Sequence, residues 1–215
     1  MKAGPVDVVL VDAGGTNIGS VRYALGRLGV DATMSDDPAR IRAASHVILP
    51  GVGAAGPGMA RLREGGLDAV IRELKQPVLG VCLGMQLLFE HSEEGDTTCL
   101  GVVRGTVRHF PREAGLRVPH MGWNTLVTVG DDPLLAGLDA TDRHAYFVHS
   151  YAAPVGPDTL AGSEYGTPFS AVVRRGNFCG MQFHPERSAA LGARLLDNFL
   201  ALGGVEAGVT DEAAA

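Results

Sequence analysis

The feature that most constrains the fold is a short apolar run at residues 6–11, which a glycine-rich turn joins to a helical pattern. A nearly continuous run of β-branched residues is typical of a strand that is buried on both faces of a parallel sheet. At residues 17–28 apolar side chains recur at helical spacing, and Gly29 follows as a helix C-terminal signal. The chain therefore opens with a predicted strand, turn and helix.

The same alternation continues through the first half of the chain. The pattern predicts strands at residues 46–49 and 77–81, and helices at residues 58–74 and 83–91. Strands that alternate with helices in this way favour a doubly wound sheet. We therefore expect an α/β fold of the flavodoxin-like type, with a mostly parallel sheet flanked by helices.

The second half has a different texture, because its strand patterns are not separated by long helical patterns. Residues 189–200 are predicted to form a closing amphipathic helix. Without crossover helices between them, the strands of this half are expected to form an additional antiparallel or mixed sheet. The predicted strands are residues 102–107, 125–129, 145–149 and 171–173.

The length and composition favour one globular domain. A chain of 215 residues is long enough for a single large α/β core, so we predict one domain at residues 1–203 and a flexible tail at residues 204–215. The 46% hydrophobic and 20% charged residues are ordinary for a soluble protein. No apolar run is long enough to span a bilayer, and the first residues lack the pattern of a secretory signal. A cytoplasmic location is expected.

The charges and cysteines exclude several kinds of partner. The net charge is -6, and the basic residues are interspersed with acidic ones, which does not fit nucleic-acid binding. Cys82, Cys99 and Cys179 match no zinc or disulfide spacing and are expected to be free thiols in a reducing compartment. Small molecules or proteins are the expected partners.

The motif GVCLG at residues 80–84 places Cys82 between a predicted strand and a predicted helix. This is the context of a nucleophile elbow, in which small residues on both sides of the turn avoid a steric clash. A helix N-terminus also stabilises a thiolate. The alternative is a buried cysteine between two packing glycines. Cys99 and Cys179 lack flanking glycines on both sides and are expected to be inert.

The motif FHPE at residues 183–186 offers a base and its orienting group. A histidine ordinarily titrates near neutrality, so His184 is expected to take the thiol proton and later to protonate a leaving amine. Glu186 lies two residues further on and is able to fix the imidazole tautomer. The alternative is a solvated surface turn, which is common for such a pair. The other histidines considered are expected to be ordinary surface or hydrogen-bonded residues; they are His46, His91, His109 and His144.

Together, GVCLGMQ at residues 80–86 and FHPE resemble the class I, or triad, glutamine amidotransferases. Within that family, VPHMGWN at residues 118–124 is most similar to the glutaminase subunits of imidazole glycerol phosphate synthase. PGVGA at residues 50–54 and FVHSY at residues 147–151 support the resemblance, which covers nearly the whole chain except the tail. Without it, residues 118–124 would be a Pro- and Gly-bounded loop whose Trp123 fills the core.

The resemblance implies a role for each residue that matches a family motif. No metal or organic cofactor is implied. The implied roles are catalysis by Cys82, His184 and Glu186, an oxyanion site at Val52, Gly53 and Leu83, glutamine binding by Gln86, Glu94, Ser150 and Tyr151, and partner contact by Asn17, Trp123 and Arg187.

The resemblance also implies an activity and a partner. A thiolate would attack the amide of L-glutamine, and hydrolysis of the thioester would give glutamate. The ammonia would pass to a TIM-barrel cyclase subunit in a heterodimer that makes imidazole glycerol phosphate and AICAR for histidine biosynthesis. Channelling would keep the ammonia from being protonated in bulk water.

Three positions depart from the family pattern, and two other functions stay open. Thr16 stands before Asn17 where glycine is usual, Ala55 replaces a common phenylalanine, and Arg187 replaces a lysine. One alternative is the glutaminase subunit of an anthranilate or aminodeoxychorismate synthase, against which VPHMGWN argues. The other is a non-catalytic flavodoxin-like interaction module, against which His184 and Glu186 argue.

Overall fold

The computed structural model describes residues 6–12, 18–51, 53–111, 115–138 and 143–203. The predicted tail at residues 204–215 lies outside this part of the chain. The helices are α1 (Ile18–Arg27), α2 (Pro38–Ala43), α3 (Ala55–Glu64), α4 (Leu67–Glu73), α5 (Leu83–Leu87) and α6 (Ala189–Ala201), with short 3₁₀ turns at Pro133–Leu135 and Pro185–Arg187. The strands are β1 (Val8–Val11), β2 (Thr33–Ser35), β3 (His46–Gly51), β4 (Val78–Cys82), β5 (His91–Ser92), β6 (Thr97–Thr98), β7 (Thr106–His109), β8 (His120–Thr125), β9 (Val127–Thr128), β10 (His144–His149), β11 (Tyr151–Ala152), β12 (Thr159–Tyr165), β13 (Thr167–Arg175) and β14 (Phe178–Met181).

The central sheet has eight strands in the order β2-β1-β3-β4-β14-β13-β12-β9. The five strands from β2 to β14 are parallel, and the remaining three pair antiparallel. Every residue of β1 is buried, as expected of a strand covered on both faces. The predicted α/β fold with a large, mostly parallel sheet flanked by helices is therefore confirmed.

Alternate residues of β1 enter two different hydrophobic cores, because successive side chains of a strand point to opposite faces. Val8 and Leu10 belong to a core that α1 and α6 close, whereas Val9 and Val11 belong to a core that α2 to α5 close. In the described part of the chain, no helix has the length and apolar character needed to cross a membrane.

Two smaller sheets complete the second half of the chain. Strands β8 and β10 form an antiparallel pair, and β11-β7-β5-β6 form a four-stranded sheet in which β5 and β7 run parallel. The prediction of an additional antiparallel or mixed region is confirmed. The closing helix is also confirmed, with its buried side chains on one face of α6.

One segment predicted as mainly helix is interrupted, and another predicted helix was too long. The helix expected at residues 58–74 is the pair α3 and α4, broken at Gly65 and Gly66, where Gly66 has a φ of 64°. The helix expected at residues 83–91 ends at Leu87. The carbonyl groups of residues 87–89 accept hydrogen bonds from the backbone of residues 100–103 instead of continuing the helix.

Two predicted strands also had wrong boundaries. The strand expected at residues 102–107 begins only at Thr106, because the backbone N–H groups at 102 and 103 bond to Leu88 and Gly105 has a φ of 115°. The strand expected at residues 125–129 is divided at Leu126. The chain leaves its pairing with β10 there and continues as β9 against β12.

Glycines allow α5 to pack directly against the central sheet. A Cβ atom on Gly80 would lie 2.5 Å from the carbonyl oxygen of Gly84, and one on Gly84 would overlap the carbonyl oxygen of Leu49. Backbone therefore meets backbone where β3, β4 and α5 converge. This close approach fixes the position of Cys82 at the end of β4.

We predict that Gly80→Ala lowers the free energy of unfolding by about 1–3 kcal/mol, because the new methyl group forces α5 away from β4. The matched control is Gly26→Ala in α1, where nothing lies within 4 Å of the new atom. That change should be neutral or stabilise the helix by up to about 1 kcal/mol. Urea unfolding measures both values. Equal stability of the two variants would contradict the close approach at β4.

Candidate active site

Cys82 lies at the turn from β4 into α5 in a strained backbone conformation, with φ of 54° and ψ of −113°. A positive φ is costly for a residue with a side chain and persists only where the surrounding structure enforces it. Here the packed glycines on either side provide that constraint. The turn has the elbow geometry that GVCLG predicts.

His184 reaches the same place because β14 and β4 are neighbouring parallel strands, with Met181 opposite Val81. Both strands end at one edge of the sheet, so the residues that follow them lie side by side. The Cys82 side chain lies close enough to His184 to raise the pKa of the imidazole. The two motifs are about a hundred residues apart in sequence but adjacent in space.

Glu186 fixes the orientation of the imidazole. Its Oε1 lies 3.0 Å from Nδ1 of His184, and its side chain is only 2% exposed. An ionised carboxylate only accepts hydrogen bonds, so Nδ1 carries the hydrogen and Nε2 is left for Cys82. The other oxygen, Oε2, is buried and has no hydrogen-bond partner among the described residues. The imidazole is the main compensation for this buried charge.

The neighbours of His184 favour its protonated form. Burial by itself lowers the pKa of His184, but the interactions with Cys82 and Glu186 raise the pKa to about 10. His184 is therefore an imidazolium at neutral pH, and a cation beside a cysteine sulfur stabilises a thiolate. Because the pKa of His184 is raised in the folded protein, protonation of His184 stabilises the fold. This stabilisation is fully present below the ordinary pKa of about 6.5 and is lost as pH rises through about 10.

A cavity of about 280 Å³ opens beside the sulfur of Cys82. This volume is at the lower end of the range of about 300–1,000 Å³ that is typical of ligand pockets, which favours a small metabolite. Pro119, Val148 and His149 also line it. The residues with implied roles that line it are Gly53, Cys82, Leu83, Gln86, Glu94, Ser150 and Tyr151.

A larger surface groove of about 820 Å³ runs along α1 and β2, beside Tyr23 and Met34. None of the residues with implied roles lines it. The larger groove is therefore not the candidate site, which is chosen instead by the grouping of Cys82, His184 and Glu186. In the described ranges, no group of three or more histidine, cysteine or acidic side chains is arranged to hold a metal ion.

Comparisons with known proteins agree with this geometry. The model of the family "Glutamine amidotransferase class-I" matches residues 9–202. A protein of Xanthomonas axonopodis pv. citri (strain 306), named imidazole glycerol phosphate synthase subunit HisH, is 61% identical over 90% of this chain and 96% of its own length. A protein of the same name from Xylella fastidiosa (strain Temecula1 / ATCC 700964) is 53% identical over the same shares. The chain belongs to the class-I glutamine amidotransferase family.

Solved structures show that the fold is shared with other amidotransferases. A glutamine amidotransferase crystal structure superimposes with a TM-score of 0.70 and 24% identity, covering 90% of this chain and 97% of that one. A glutamine amidotransferase from Thermotoga maritima gives a TM-score of 0.61 and 19% identity, covering 93% of this chain and 82% of that one. At these identities the likeness concerns the fold.

Two polar residues that line the cavity beside Cys82 are already hydrogen-bonded to other groups of the chain. Both N–H groups of the Gln86 amide are engaged, with the carbonyl oxygen of Tyr151 at 2.8 Å and Oε1 of Gln182 at 3.0 Å. Oε2 of Glu94 accepts a hydrogen bond of 2.7 Å from the backbone N–H of Ala55 at the start of α3. Gln86 therefore has only its oxygen to offer a ligand, and Glu94 also holds the segment after Gly53.

The residues expected at the partner interface form an exposed patch. Trp123 on β8 is 55% exposed and contacts the edge of Tyr146 at 5.8 Å between ring centroids. The guanidinium of Arg187 lies over the ring of Tyr146, 4.3 Å from its centroid. The alternative in which Trp123 fills the core is wrong. Asn17 and Val52, together with Thr16, lie outside the described residues.

The remaining candidates behave as expected from the sequence. Burial raises the pKa of Cys99 to about 11 and that of Cys179 to about 12, so neither thiol is reactive. His46 is buried and bonds to Ser45 and to the carbonyl oxygen of Leu202, both at 3.0 Å. His144 is exposed at the start of β10.

Sequence reasoning missed three polar residues beside the cavity. His120 and His149 were noted only as parts of motifs, yet both are buried, and burial lowers their pKa values to about 4 and about 3. Gln182 is fully buried, with its amide nitrogen 4.0 Å from the sulfur of Cys82. The available signals were that His120 and His149 lie within two of the quoted motifs and that Gln182 directly precedes FHPE.

We predict that Glu186→Gln lowers the pKa of His184 from about 10, because the carboxylate charge is lost while the burial remains. NMR titration of the imidazole resonances measures this shift. The control is Glu164→Gln on β12, an exposed carboxylate, which should leave the His184 titration unchanged. A His184 pKa that is unaffected by Glu186→Gln would contradict the orienting role of this carboxylate.

Proposed function

We propose that this chain is the glutaminase subunit of an imidazole glycerol phosphate synthase, and that it hydrolyses L-glutamine to glutamate and ammonia. The observation that carries the proposal is the grouping of Cys82 with His184, which is hydrogen-bonded to Glu186, beside a small cavity. The relatives with 53–61% identity carry the name of that synthase, which favours it over the anthranilate and aminodeoxychorismate enzymes. The family match over residues 9–202 supports one amidotransferase domain up to residue 203. We also propose a cytoplasmic location.

The first step is attack by the Cys82 thiolate on the side-chain amide carbon of glutamine. The amide oxygen becomes an oxyanion, and backbone N–H groups are the donors that stabilise such a charge without reorganising. Leu83 supplies one donor from the first residue of α5, and the segment of Val52 and Gly53 supplies the other. Gly53 has a φ of 97°, and glycine permits a rotation of this peptide that few other residues tolerate.

The second step is collapse of the tetrahedral intermediate. Nε2 of the His184 imidazolium gives its proton to the amide nitrogen, and the C–N bond breaks. Ammonia departs, and a glutamyl thioester remains on Cys82. Neutral His184 then removes a proton from water, which attacks the thioester carbon. Glutamate and the Cys82 thiolate are released, and His184 is again an imidazolium. Glu186 holds Nδ1–H throughout.

The cavity residues fit a zwitterionic amino acid. The Glu94 carboxylate is suited to the α-ammonium group, and Ser150 and Tyr151 are suited to the polar groups at the same end of the substrate. Gln86 is fixed through both of its N–H groups, so its contribution to binding comes from its oxygen. No metal or organic cofactor takes part in these steps.

The exposed patch on β8 is the proposed docking surface for a TIM-barrel cyclase subunit in a heterodimer. Met121 and Trp123 are both more than half exposed on the same face of the strand, and Arg187 lies beside them over Tyr146. Tryptophan, tyrosine and arginine are the residues that most often dominate interface energetics. Docking there places the partner close to the site that releases ammonia, which must cross without being protonated in water.

We predict that Cys82→Ala lowers glutamine hydrolysis, measured with the partner present, by at least about 1,000-fold, because no thioester forms. The matched control is Cys99→Ala, which removes a buried thiol elsewhere in the fold and should keep most of the activity of the wild type. Glutamate release by Cys82→Ala at the wild-type rate would contradict the proposed mechanism.

We predict that Trp123→Ala weakens binding of a cyclase subunit of imidazole glycerol phosphate synthase by about tenfold or more, because an anchoring side chain is lost. Calorimetric titration of the two purified subunits measures this. Tyr23→Ala on α1 is the control, since Tyr23 is another exposed aromatic residue outside the patch. Equal affinities for the two variants would place the cyclase on another surface.

A further inference from the structure

A buried histidine pair joins the exposed strand β8 to the cavity. His120 on β8 lies opposite His149 on β10, and Nδ1 of the first is 3.1 Å from Nε2 of the second. Both side chains are buried, at 3% and 6% exposure. The triad does not use either of them, yet His149 lines the cavity beside Cys82.

The hydrogen bonds of this pair allow one arrangement of hydrogens. Nδ1 of His149 lies 2.8 Å from the carbonyl oxygen of Tyr151, which only accepts, so this nitrogen carries the hydrogen. Burial, opposed by this bond and reinforced by the charges of His120 and His184, lowers the pKa of His149 to about 3. The ring is therefore neutral, and its Nε2 must accept from Nδ1–H of His120.

The chain of bonds continues outward to Asn124 by the same logic. Burial lowers the pKa of His120 to about 4, so its ring is also neutral and its Nε2 is an acceptor. The amide nitrogen of Asn124 lies 3.4 Å from this atom and also donates to the carbonyl oxygen of Glu164 at 2.8 Å. In the row formed by Asn124, His120 and His149, each residue thus donates a hydrogen bond to the next.

In the other direction the row reaches the nucleophile. The Tyr151 carbonyl oxygen that accepts from His149 also accepts from Gln86 at 2.8 Å, and Gln86 donates to Gln182 at 3.0 Å. The Gln182 amide nitrogen lies 4.0 Å from the sulfur of Cys82. Polar contacts therefore run without interruption from β8 to the reacting atom.

Aromatic packing prevents these rings from turning. The His120 ring is stacked between Phe147 and Tyr165, with centroid distances of 5.0 and 4.1 Å and interplanar angles of 23° and 22°. His149 meets Phe169 edge-on at 5.1 Å. A ring that cannot turn also restricts the positions of the groups that are hydrogen-bonded to it.

We infer that His120 and His149 are positioning residues for glutamine hydrolysis, which set the segment 148–151 against the cavity and, through Gln86 and Gln182, orient the sulfur of Cys82. The inference rests on the proposed function. The same segment places the Val148 carbonyl oxygen 3.8 Å from that sulfur, and it contributes Ser150 and Tyr151 to the cavity. Displacing it disturbs both glutamine binding and the nucleophile.

The test compares His149→Phe, which removes both polar atoms, with His149→Asn, whose amide keeps a donor near the Nδ1 position. Both are measured as the full chain in complex with the cyclase subunit. We expect His149→Phe to raise KM for glutamine and to lower kcat, with kcat/KM reduced roughly tenfold or more, and His149→Asn to recover most of the loss. Phe199→Leu in α6 is the control for lost core packing, since Phe199 is fully buried and is not part of the row. It should lower the melting temperature without changing KM.

A second readout does not depend on glutamine. The rate of Cys82 alkylation by iodoacetamide should change several-fold in His149→Phe, and should stay at the wild-type value in Phe199→Leu. Unchanged KM, kcat and alkylation rate in His149→Phe, or equal impairment by phenylalanine and asparagine, would overturn the positioning role. A wild-type complex that fails to hydrolyse glutamine while the alkylation rates differ as expected would instead refute the proposed function and leave the positioning of Cys82 standing.

Discussion

The parallel pairing of β4 with β14 is the constraint on which the site depends. The pairing aligns the ends of two strands that are far apart in sequence, so that Cys82 and His184 emerge from the same edge of the sheet. A one-residue slip would send the side chains of β14 to the opposite face. The proximity of sulfur and imidazole is thus a consequence of sheet register, and the buried Glu186 carboxylate holds Nδ1 and leaves the other imidazole nitrogen free.

The two faces of strand β8 have different surroundings, because successive side chains of a strand point to opposite sides. Met121 and Trp123 are exposed, while His120 is buried and Asn124 is half-buried. One face therefore offers an apolar and aromatic surface, and the other begins the polar row that ends near Cys82. We propose that a partner docked on the exposed face acts on this polar row, and through it on Cys82, without movement of the central sheet.

The sequence was most informative where local geometry restricts the residue type. The glycines of GVCLG indicated the elbow, because side chains at Gly80 and Gly84 have no room, and FHPE with the family resemblance favoured it over a buried cysteine. The β-branched runs predicted the central strands, because strands buried on both faces of a parallel sheet favour such residues. The family resemblance then added the residues of the cavity, of which Gly53, Gln86, Glu94, Ser150 and Tyr151 lie around it.

Features that depend on distant contacts were not predictable. Helix α5 ends early because the segment at 100–103 takes its last carbonyl groups, and no local signal marks that end. Strand β14 was missed because four residues, including Gly180, carry too little pattern. The histidine row was missed because the bond between His120 and His149 requires β8 and β10 to pair.

The most direct measurement of the central claim is covalent labelling by a glutamine analogue that carries an electrophilic ketone in place of the side-chain amide. Peptide mass spectrometry after labelling identifies the residue that attacks the position of the amide carbon. We expect modification of Cys82 alone, with a rate that glutamine suppresses by competition. Labelling of Cys99 or Cys179, or labelling of Cys82 that glutamine does not slow, would contradict the assignment of Cys82 as the nucleophile.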